Sequence, residues 1–264
     1  MYQLGFIGCG NMGGALVRAA VKSVGGENIA VCDFDQNKAN TLQKECGVFA
    51  TDSATLAENC KFVVLGVKPQ NLQETLQSIA VFLANNKDVV VITMAAGASM
   101  QSIRNFSGVD LPVIRIMPNT PVLVEKGMIL YCTSNVSKQD ETAFLAAFAK
   151  AGVLDKIPEE KMDAASALSG CGPAYVYAFA EALADGAVEC GVPRDKAALY
   201  TAQTLLGAAE MLLTYGHPGD LKDAVCSPGG TTIAGIHALE KAGMRNAAMD
   251  AVAAAYKRTL ELKK

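Results

Sequence analysis

The sequence predicts an α/β domain with a mostly parallel sheet and helices on both faces, followed by an all-α domain. Up to about residue 155, short apolar runs alternate with amphipathic helical stretches. From about residue 160 these runs stop, and the rest of the chain is helix-like and rich in Ala and Leu. Alternating strands and helices favour βαβ units, and a separate run of helices favours a second domain. We therefore predict a first domain at 1–158 and a second at 159–264.

Six apolar runs bounded by turn residues are the predicted strands of the first domain. They cover residues 4–8, 28–33, 62–67, 88–93, 112–117 and 127–132. Amphipathic stretches such as 11–23 and 35–46 separate them and predict the covering helices. Because βαβ units place helices on the sheet, both faces are expected to be covered.

The second domain is predicted from five helical stretches punctuated by Gly, Pro and Asp. They cover residues 159–170, 173–190, 194–215, 231–243 and 245–264. In 200–215, Leu, Met and Tyr fall on more than one face of the helix. Such a surface is commonly buried against another copy, so we expect a homodimer or a higher homo-oligomer. The alternative, a helical core that closes on the α/β domain, needs no partner.

The composition excludes several classes of partner. The net charge is −3 without basic clusters, so neither nucleic acid nor an anionic membrane is expected as a partner. The apolar runs stay short of the roughly 18 residues that a membrane span needs. The chain opens on an apolar run without secretory features, and its eight cysteines form no CxxC pair, which favours reduced thiols and a cytoplasmic location. With two histidines and no His/Cys cluster, we predict no metal site.

A GxGxxG motif follows the first predicted strand and opens a helix. Its glycines are Gly8, Gly10 and Gly13. In this pattern the first glycine forms the tight turn, the second admits a pyrophosphate and the third lets helix and strand pack closely. The motif predicts dinucleotide binding.

The stretch after the second strand leaves the choice of dinucleotide open. Asp33 or Asp35 can accept a hydrogen bond from a free ribose 2′-hydroxyl, which suits NADH. Asn37 and Lys38 can instead hold a 2′-phosphate. A third interpretation makes Asp35 an ordinary helix N-cap.

The segment SPGGTT at 227–232 precedes the apolar helix pattern of 231–243. Its proline and glycines predict a helix start. The same glycines leave backbone N–H groups bare at a helix N-terminus, where an anion can bind. Both interpretations are compatible.

Taken in order, GFIGCGNMGG, GVKPQ, RIMPNTP, LSGCGPAY and LKDAVCSPGGTTIAGIHALEKAG resemble the motifs of pyrroline-5-carboxylate reductases over essentially the whole chain. The last motif is the most specific of the five. The resemblance implies an N-terminal Rossmann domain and a helical dimerisation domain. The implied reaction is the NAD(P)H-dependent reduction of 1-pyrroline-5-carboxylate to L-proline, with a site expected to form between subunits.

The resemblance also implies roles for individual residues. NADPH, with NADH as the alternative, would contact Gly8, Cys9, Gly10, Asn11, Met12, Gly13, Ser53, Val67, Lys68, Pro69, Ala95, Ala96, Gly97 and Asn119. The substrate would contact Ser227, Gly229, Gly230, Thr231 and Thr232, with the Thr232 hydroxyl near the ring nitrogen as the catalytic contact. Threonine is a weak acid, so we expect a protonated imine or a water to supply the proton.

The chain departs from the family pattern at three places. Cys32, Phe34 and Asp35 stand where members that prefer NADPH have serine and arginine or consecutive serines, which keeps NADH open as a cofactor. Ser53 stands where asparagine is common, and Cys171 where serine is expected.

Two rival functions fit the sequence less well. A β-hydroxyacid dehydrogenase would need a lysine in the stretch 169–186, which has none. A nucleotide-sensing protein without catalysis would have little use for SPGGTT. Of the two histidines, neither His217 nor His237 is placed as a proton donor, and both are expected to be structural or surface residues.

Overall fold

The computed structural model describes residues 1–261, and within them eight strands form one sheet. The strands are β1 (Tyr2–Ile7), β2 (Ile29–Cys32), β3 (Phe49–Ala50), β4 (Cys60–Leu65), β5 (Val90–Thr93), β6 (Val113–Met117), β7 (Gly127–Ser134) and β8 (Gly152–Lys156). Their order is β3-β2-β1-β4-β5-β6-β7-β8, and only β6 and β7 pair antiparallel. The predicted mostly parallel sheet is confirmed.

Twelve α-helices lie within the same range, and one of them, Pro218–Ala224, falls where the sequence pattern predicted only a connection between helices. Seven belong with the sheet: α1 (Asn11–Val24), α2 (Gln36–Cys46), α3 (Ser53–Asn59), α4 (Leu72–Asn85), α5 (Met100–Ser107), α6 (Lys138–Ala147) and α7 (Glu159–Ser169). The other five are α8 (Gly172–Glu189), α9 (Arg194–Tyr215), α10 (Pro218–Ala224), α11 (Thr231–Lys241) and α12 (Met244–Glu261).

The sheet is buried on both faces because its side chains alternate between two apolar clusters. On β4, Phe62 and Val64 belong to the cluster with α1, α2 and α6, whereas Val63 and Leu65 belong to the cluster with α3, α4 and α5. A strand buried on both faces reads as a continuous apolar run, as in the six runs identified from the sequence. The prediction that helices cover both faces is confirmed.

Two strands were missed, and their sequences explain why. β3 has only two residues, too few for a pattern. In β8, Val153, Asp155 and Lys156 are exposed at the edge of the sheet, so this strand lacks an apolar run. Beyond Lys156 the described chain contains no strand, as expected.

The described chain divides into two compact units. The first comprises residues 1–171 together with the end of α12 from Ala255, and the second comprises residues 172–254. The predicted boundary at 158/159 stays a prediction, and residues 262–264 of the predicted second domain lie outside the described residues. None of the helices between residues 1 and 261 combines the length and apolarity that a membrane crossing needs.

Candidate functional site

The glycine motif forms a turn that only residues without a side chain fit. Gly8 has φ +104°, and a Cβ placed there would lie 2.6 Å from the carbonyl carbon of Gly66, which follows β4. A Cβ on Gly13 would overlap with the carbonyl oxygen of Gly8. The tight turn and the close helix–strand packing predicted from the motif are therefore present.

Gly10 leaves the N-terminus of α1 open. It is the N-cap of α1, has no side-chain cap, and a Cβ placed there would meet no atom within 4 Å. The first N–H groups of a helix lack intrahelical partners, and they carry about half a positive charge. Open space in front of such a terminus fits a pyrophosphate, with Asn11 and Met12 supplying the first turn.

Asp33 joins the end of β2 to the glycine turn. Its Oδ2 accepts a 2.6 Å hydrogen bond from the backbone N–H of Cys9, and its Oδ1 accepts one of 2.9 Å from Asp35. Asp35 caps α2 by accepting from the N–H of Asn37 at 3.1 Å, so its predicted role as N-cap is confirmed. Both carboxylates thus accept hydrogen bonds from backbone N–H groups, while Phe34 between them is fully exposed.

The thiol of Cys9 points away from solvent, within the core. Its Sγ donates to the carbonyl oxygen of Cys32 at 3.4 Å, and burial raises the pKa of Cys9 to about 12. Only the backbone of Cys9 is thus available to a ligand.

A groove of about 1150 Å³ runs along the carboxyl ends of β1, β2 and β4. Five predicted cofactor residues line it: Gly8, Gly10, Ser53, Val67 and Lys68. Pro69 begins a 3-10 turn at Pro69–Asn71, directly beyond the lining residue Lys68. This position, at the point where the strand order reverses on either side of β1, is where open α/β sheets bind ligands.

The groove also has a wall that sequence reasoning missed. Its residues are polar and come from the start of α4 and the turn before it: Gln70, Asn71, Glu74, Thr75 and Ser78. Thr51 and Asp52, after β3, also line the groove. The spacing of the polar residues on α4 follows one helix face, which is a signal that could have found them.

The other predicted cofactor residues are not among the described residues that line this groove: Cys9, Asn11, Met12 and Gly13 at the glycine turn, Pro69, and Ala95, Ala96, Gly97 and Asn119, which follow β5 and β6. Ala95 is buried, Ala96 is exposed and Gly97 has φ +78° in the turn before α5. Their small size keeps this turn free of bulk.

The side-chain amide of Asn119 clamps two backbone segments together. Its Nδ2 donates to the carbonyl oxygen of Ser169 at 2.9 Å, and its Oδ1 accepts from the N–H of Met128 at 2.9 Å. The side chain therefore fixes the end of α7 and the start of β7. A direct role of this amide toward a cofactor would compete with both bonds.

In the second unit, SPGGTT forms a turn that leads directly into α11. The N–H of Gly230 donates to the carbonyl oxygen of Ser227 at 3.0 Å, and Gly229 has φ +69°. Proline followed by a glycine of positive φ is the pattern of a type II turn. A Cβ on Gly230 would lie 2.4 Å from Ser227 Oγ, so a side chain there would require that hydroxyl to rotate away.

The N-terminus of α11 is open to solvent. Gly230 is its N-cap without a side-chain cap, and Thr231 and Thr232 are exposed in the first turn. The structure thus brings the five predicted substrate residues together in one segment. The two histidines, His217 and His237, are both exposed.

The second unit lacks a core of its own within a single chain. Among its described residues, only Ala184 and Ala197 are buried apolar side chains. Large apolar side chains are exposed instead, among them Val176, Tyr177, Leu199, Tyr200, Leu206, Leu213, Tyr215 and Met249. An apolar surface of this kind marks an interface.

Comparison with known proteins gives matches over the whole chain. Residues 159–262 match the family model described as pyrroline-5-carboxylate reductase dimerisation, and residues 3–97 match the model described as NADP oxidoreductase coenzyme F420-dependent. A pyrroline-5-carboxylate reductase of Methanosarcina acetivorans is 40% identical over 99% of this chain and 98% of its own length. That of Escherichia coli is 38% identical over the same shares.

Solved structures agree with this likeness. A pyrroline carboxylate reductase of Plasmodium falciparum with NADP bound has a TM-score of 0.89 at 32% identity, covering 100% of this chain and 98% of that one. The pyrroline-5-carboxylate reductase of Coxiella burnetii has a TM-score of 0.91 at 32% identity, covering 100% and 99%.

Proposed function

The chain belongs to the pyrroline-5-carboxylate reductase family, and we propose how its residues carry out the reaction of that family. It reduces 1-pyrroline-5-carboxylate to L-proline with NAD(P)H, the last step of proline biosynthesis. The observation that carries the assignment is the match at 38–40% identity over 99% of this chain and 98% of the curated relatives' lengths. The open glycine turn before α1 supports it independently, because the reaction needs a dinucleotide.

The cofactor is NADP(H), and the groove of the first unit holds it. The N–H groups of α1 bind the pyrophosphate in front of Gly10, where no Cβ intrudes. Val67, Lys68 and Pro69 flank it at the end of β4, and Ala95 to Gly97 leave room for a flat ring. When bound, the dihydronicotinamide supplies a hydride to the C5 carbon of the substrate.

The substrate carboxylate binds at the N-terminus of α11. There the uncapped N–H groups of Thr231 and Thr232 face solvent, and the helix dipole favours an anion by about 0.3–1 kcal/mol at an exposed site. Gly229 and Gly230 give backbone access. The Thr232 hydroxyl accepts or donates a hydrogen bond at the ring nitrogen and so orients the imine. A hydroxyl is a weak acid, so we assign the proton to solvent or to a protonated imine.

The chain works as a homodimer or a larger homo-oligomer. The second unit exposes Leu206, Leu213 and other large apolar side chains, and burying them against another copy supplies the core that one chain lacks. We further propose the cytoplasm as its location, because all eight cysteines are free thiols and several lie in the core.

A steady-state assay tests this function. We expect oxidation of NADPH, followed by the loss of its near-ultraviolet absorbance, that depends on added 1-pyrroline-5-carboxylate. The product L-proline is identified by chromatography. The same assay with NADH measures the second cofactor, and a reaction without substrate gives the background. Failure of both cofactors to show substrate-dependent oxidation would contradict the assignment.

A further inference from the structure

Phe34 is a solvent-exposed aromatic residue that lines the groove. It directly follows Asp33, which comes after β2 and accepts a hydrogen bond from the glycine turn, and it lines the groove while being fully exposed. Burying a phenylalanine is worth about 1.5–3 kcal/mol, so a fully exposed one forgoes that gain in the free chain. Its place marks the end of the groove where a dinucleotide puts its adenosine.

Three carboxylates at the same end of the groove as Phe34 accept hydrogen bonds from the backbone. Asp33 accepts from two backbone N–H groups and Asp35 caps α2. Asp52 caps α3 by accepting from the N–H of Thr55 at 2.8 Å, which holds the pKa of Asp52 below its usual value. These three carboxylates give this end of the groove a negative potential.

Lys38 is the cation that opposes them. It lies in the first turn of α2, four residues after Phe34, is exposed and lines the groove. Within residues 1–261 it forms no ion pair, although three carboxylates line the same end of the groove. Lys68, the other lysine of the lining, follows β4 instead of β2. The 2′-phosphate of NADPH therefore has one ammonium group to meet beside Phe34.

We infer that Phe34 and Lys38 divide the recognition of the adenosine end, the ring of Phe34 stacking on the adenine and the ammonium of Lys38 pairing with the 2′-phosphate. This inference rests on the proposed function for the identity of the ligand. Stacking is shared by both cofactors, because both carry adenine. The ion pair is specific to NADPH, and Asp33 and Asp35 oppose it through repulsion of the phosphate. Selectivity for NADPH over NADH thus depends on the attraction of Lys38 and the repulsion of Asp33 and Asp35.

The test uses fragments of the adenosine end alone. Titration calorimetry with 2′,5′-ADP and with 5′-AMP measures the two contacts separately on the full-length oligomer. We expect Phe34→Ala to weaken both ligands by about fivefold or more, as for loss of a base–aromatic stack, and Phe34→Tyr to restore both. We expect Lys38→Ala to weaken 2′,5′-ADP by about tenfold or more and to leave 5′-AMP within about twofold, with Lys38→Arg close to the parent.

Both side chains are exposed, so these variants should keep the parent's melting temperature, which serves as the folding control. A Phe34→Ala protein that binds both fragments as the parent does would overturn the stacking contact. A Lys38→Ala protein that loses both fragments equally, or neither, would overturn the phosphate contact. A parent protein that binds 2′,5′-ADP but lacks substrate-dependent oxidation would instead count against the proposed reaction alone.

The ratio of the KM for NADPH to the KM for NADH tests the same contacts kinetically. Asp35→Asn keeps the N-cap, since asparagine caps helices as well as aspartate does, and removes one negative charge. We expect it to lower the KM for NADPH relative to that for NADH. An unchanged ratio would contradict the opposition between Asp35 and the 2′-phosphate.

Discussion

The guanidinium of Arg115 donates a 2.7 Å hydrogen bond to the carboxylate of Asp163 in the interior of the first unit. Both side chains are almost fully buried, and the bond joins β6 to α7. Glu159 lies 3.6 Å from the same guanidinium and accepts from the N–H of Met100 at 2.8 Å. One ion cluster therefore ties the sheet, α5 and α7 together.

Removing the acid of this pair should destabilise the first unit. Asp163→Ala leaves a buried guanidinium without its main counter-ion, which costs about 3–5 kcal/mol. We expect a lower melting temperature and a lower urea concentration at the midpoint of unfolding. The double variant Arg115→Met with Asp163→Leu should recover most of the loss, because it removes both charges. Equal stability of the single variant and the parent would contradict a structural role of the cluster.

Two glycines of the turn should respond differently to alanine. Gly13→Ala forces a Cβ into the carbonyl oxygen of Gly8, so we expect loss of both stability and NADPH binding. Gly10→Ala meets no protein atom within 4 Å, so we expect a melting temperature near that of the parent. Its methyl group would still obstruct the pyrophosphate. Calorimetric melting and fluorescence titration with NADPH separate the two outcomes, and normal binding by Gly10→Ala would count against the glycine turn as the phosphate site.

Thr232→Ala should lower turnover and leave the dissociation constant of NADPH nearly unchanged. The hydroxyl is exposed beside the uncapped N-terminus of α11, so its loss leaves the fold intact. Thr232→Ser, which keeps the hydroxyl, is the matched control and should retain most of the turnover. If Thr232→Ala lost cofactor affinity as strongly as turnover, its assignment to the substrate would be wrong.

The second unit should fold only as part of an oligomer. We expect light scattering to give at least the mass of a dimer. Leu206→Glu together with Leu213→Glu should lower that mass and the melting temperature, because both side chains belong to the exposed apolar surface. Val81→Glu, an apolar position on the first unit whose exposure lies between those of Leu206 and Leu213, is the control and should change neither. A monomeric parent protein would refute the interface.

The buried thiols should resist alkylation. Burial raises the pKa of Cys9, Cys32 and Cys60 to about 12, and the nucleophile is the thiolate, so these residues should stay unmodified by iodoacetamide at neutral pH. Cys171 and Cys190 are exposed and should react first. Peptide mass spectrometry of the native protein measures both groups, and full labelling after denaturation is the control. Rapid native labelling of Cys9 would contradict its burial.

The sheet was predictable where burial on both faces leaves an apolar run. Val63 and Val64 point to opposite faces and are both buried, so their strand was evident. β8 has no such run, because Val153 is exposed at the edge of the sheet. The antiparallel pairing of β7 with β6 could not be predicted either. Strand direction depends on how the chain crosses the sheet and not on the residue pattern.

The site was predictable in its motifs and less so in its supporting contacts. The glycine turn and the SPGGTT segment can be recognised from their residue types alone. Arg115 and Asp163 stand 48 residues apart and only the folded chain brings them together. The same holds for the hydrogen bond from the Asn119 amide to the backbone of Ser169, which the fold alone reveals, whereas the cofactor contact that the resemblance implies for Asn119 stays a prediction. Whether each predicted site residue contacts a ligand stays a prediction.

The approach of Gly8 to Gly66 also constrains how this sequence can change. A Cβ on Gly66 would lie 2.6 Å from the carbonyl oxygen of Gly8, and a Cβ on Gly8 would lie equally close to the carbonyl carbon of Gly66. Neither glycine can be replaced first, because a side chain at one position would clash with the backbone of the other. A second substitution does not relieve this clash, since every residue has the same backbone atoms. Evolutionary drift in this protein is therefore blocked at two places 58 residues apart for one shared reason, and a library that varies either glycine should return only the parent residue.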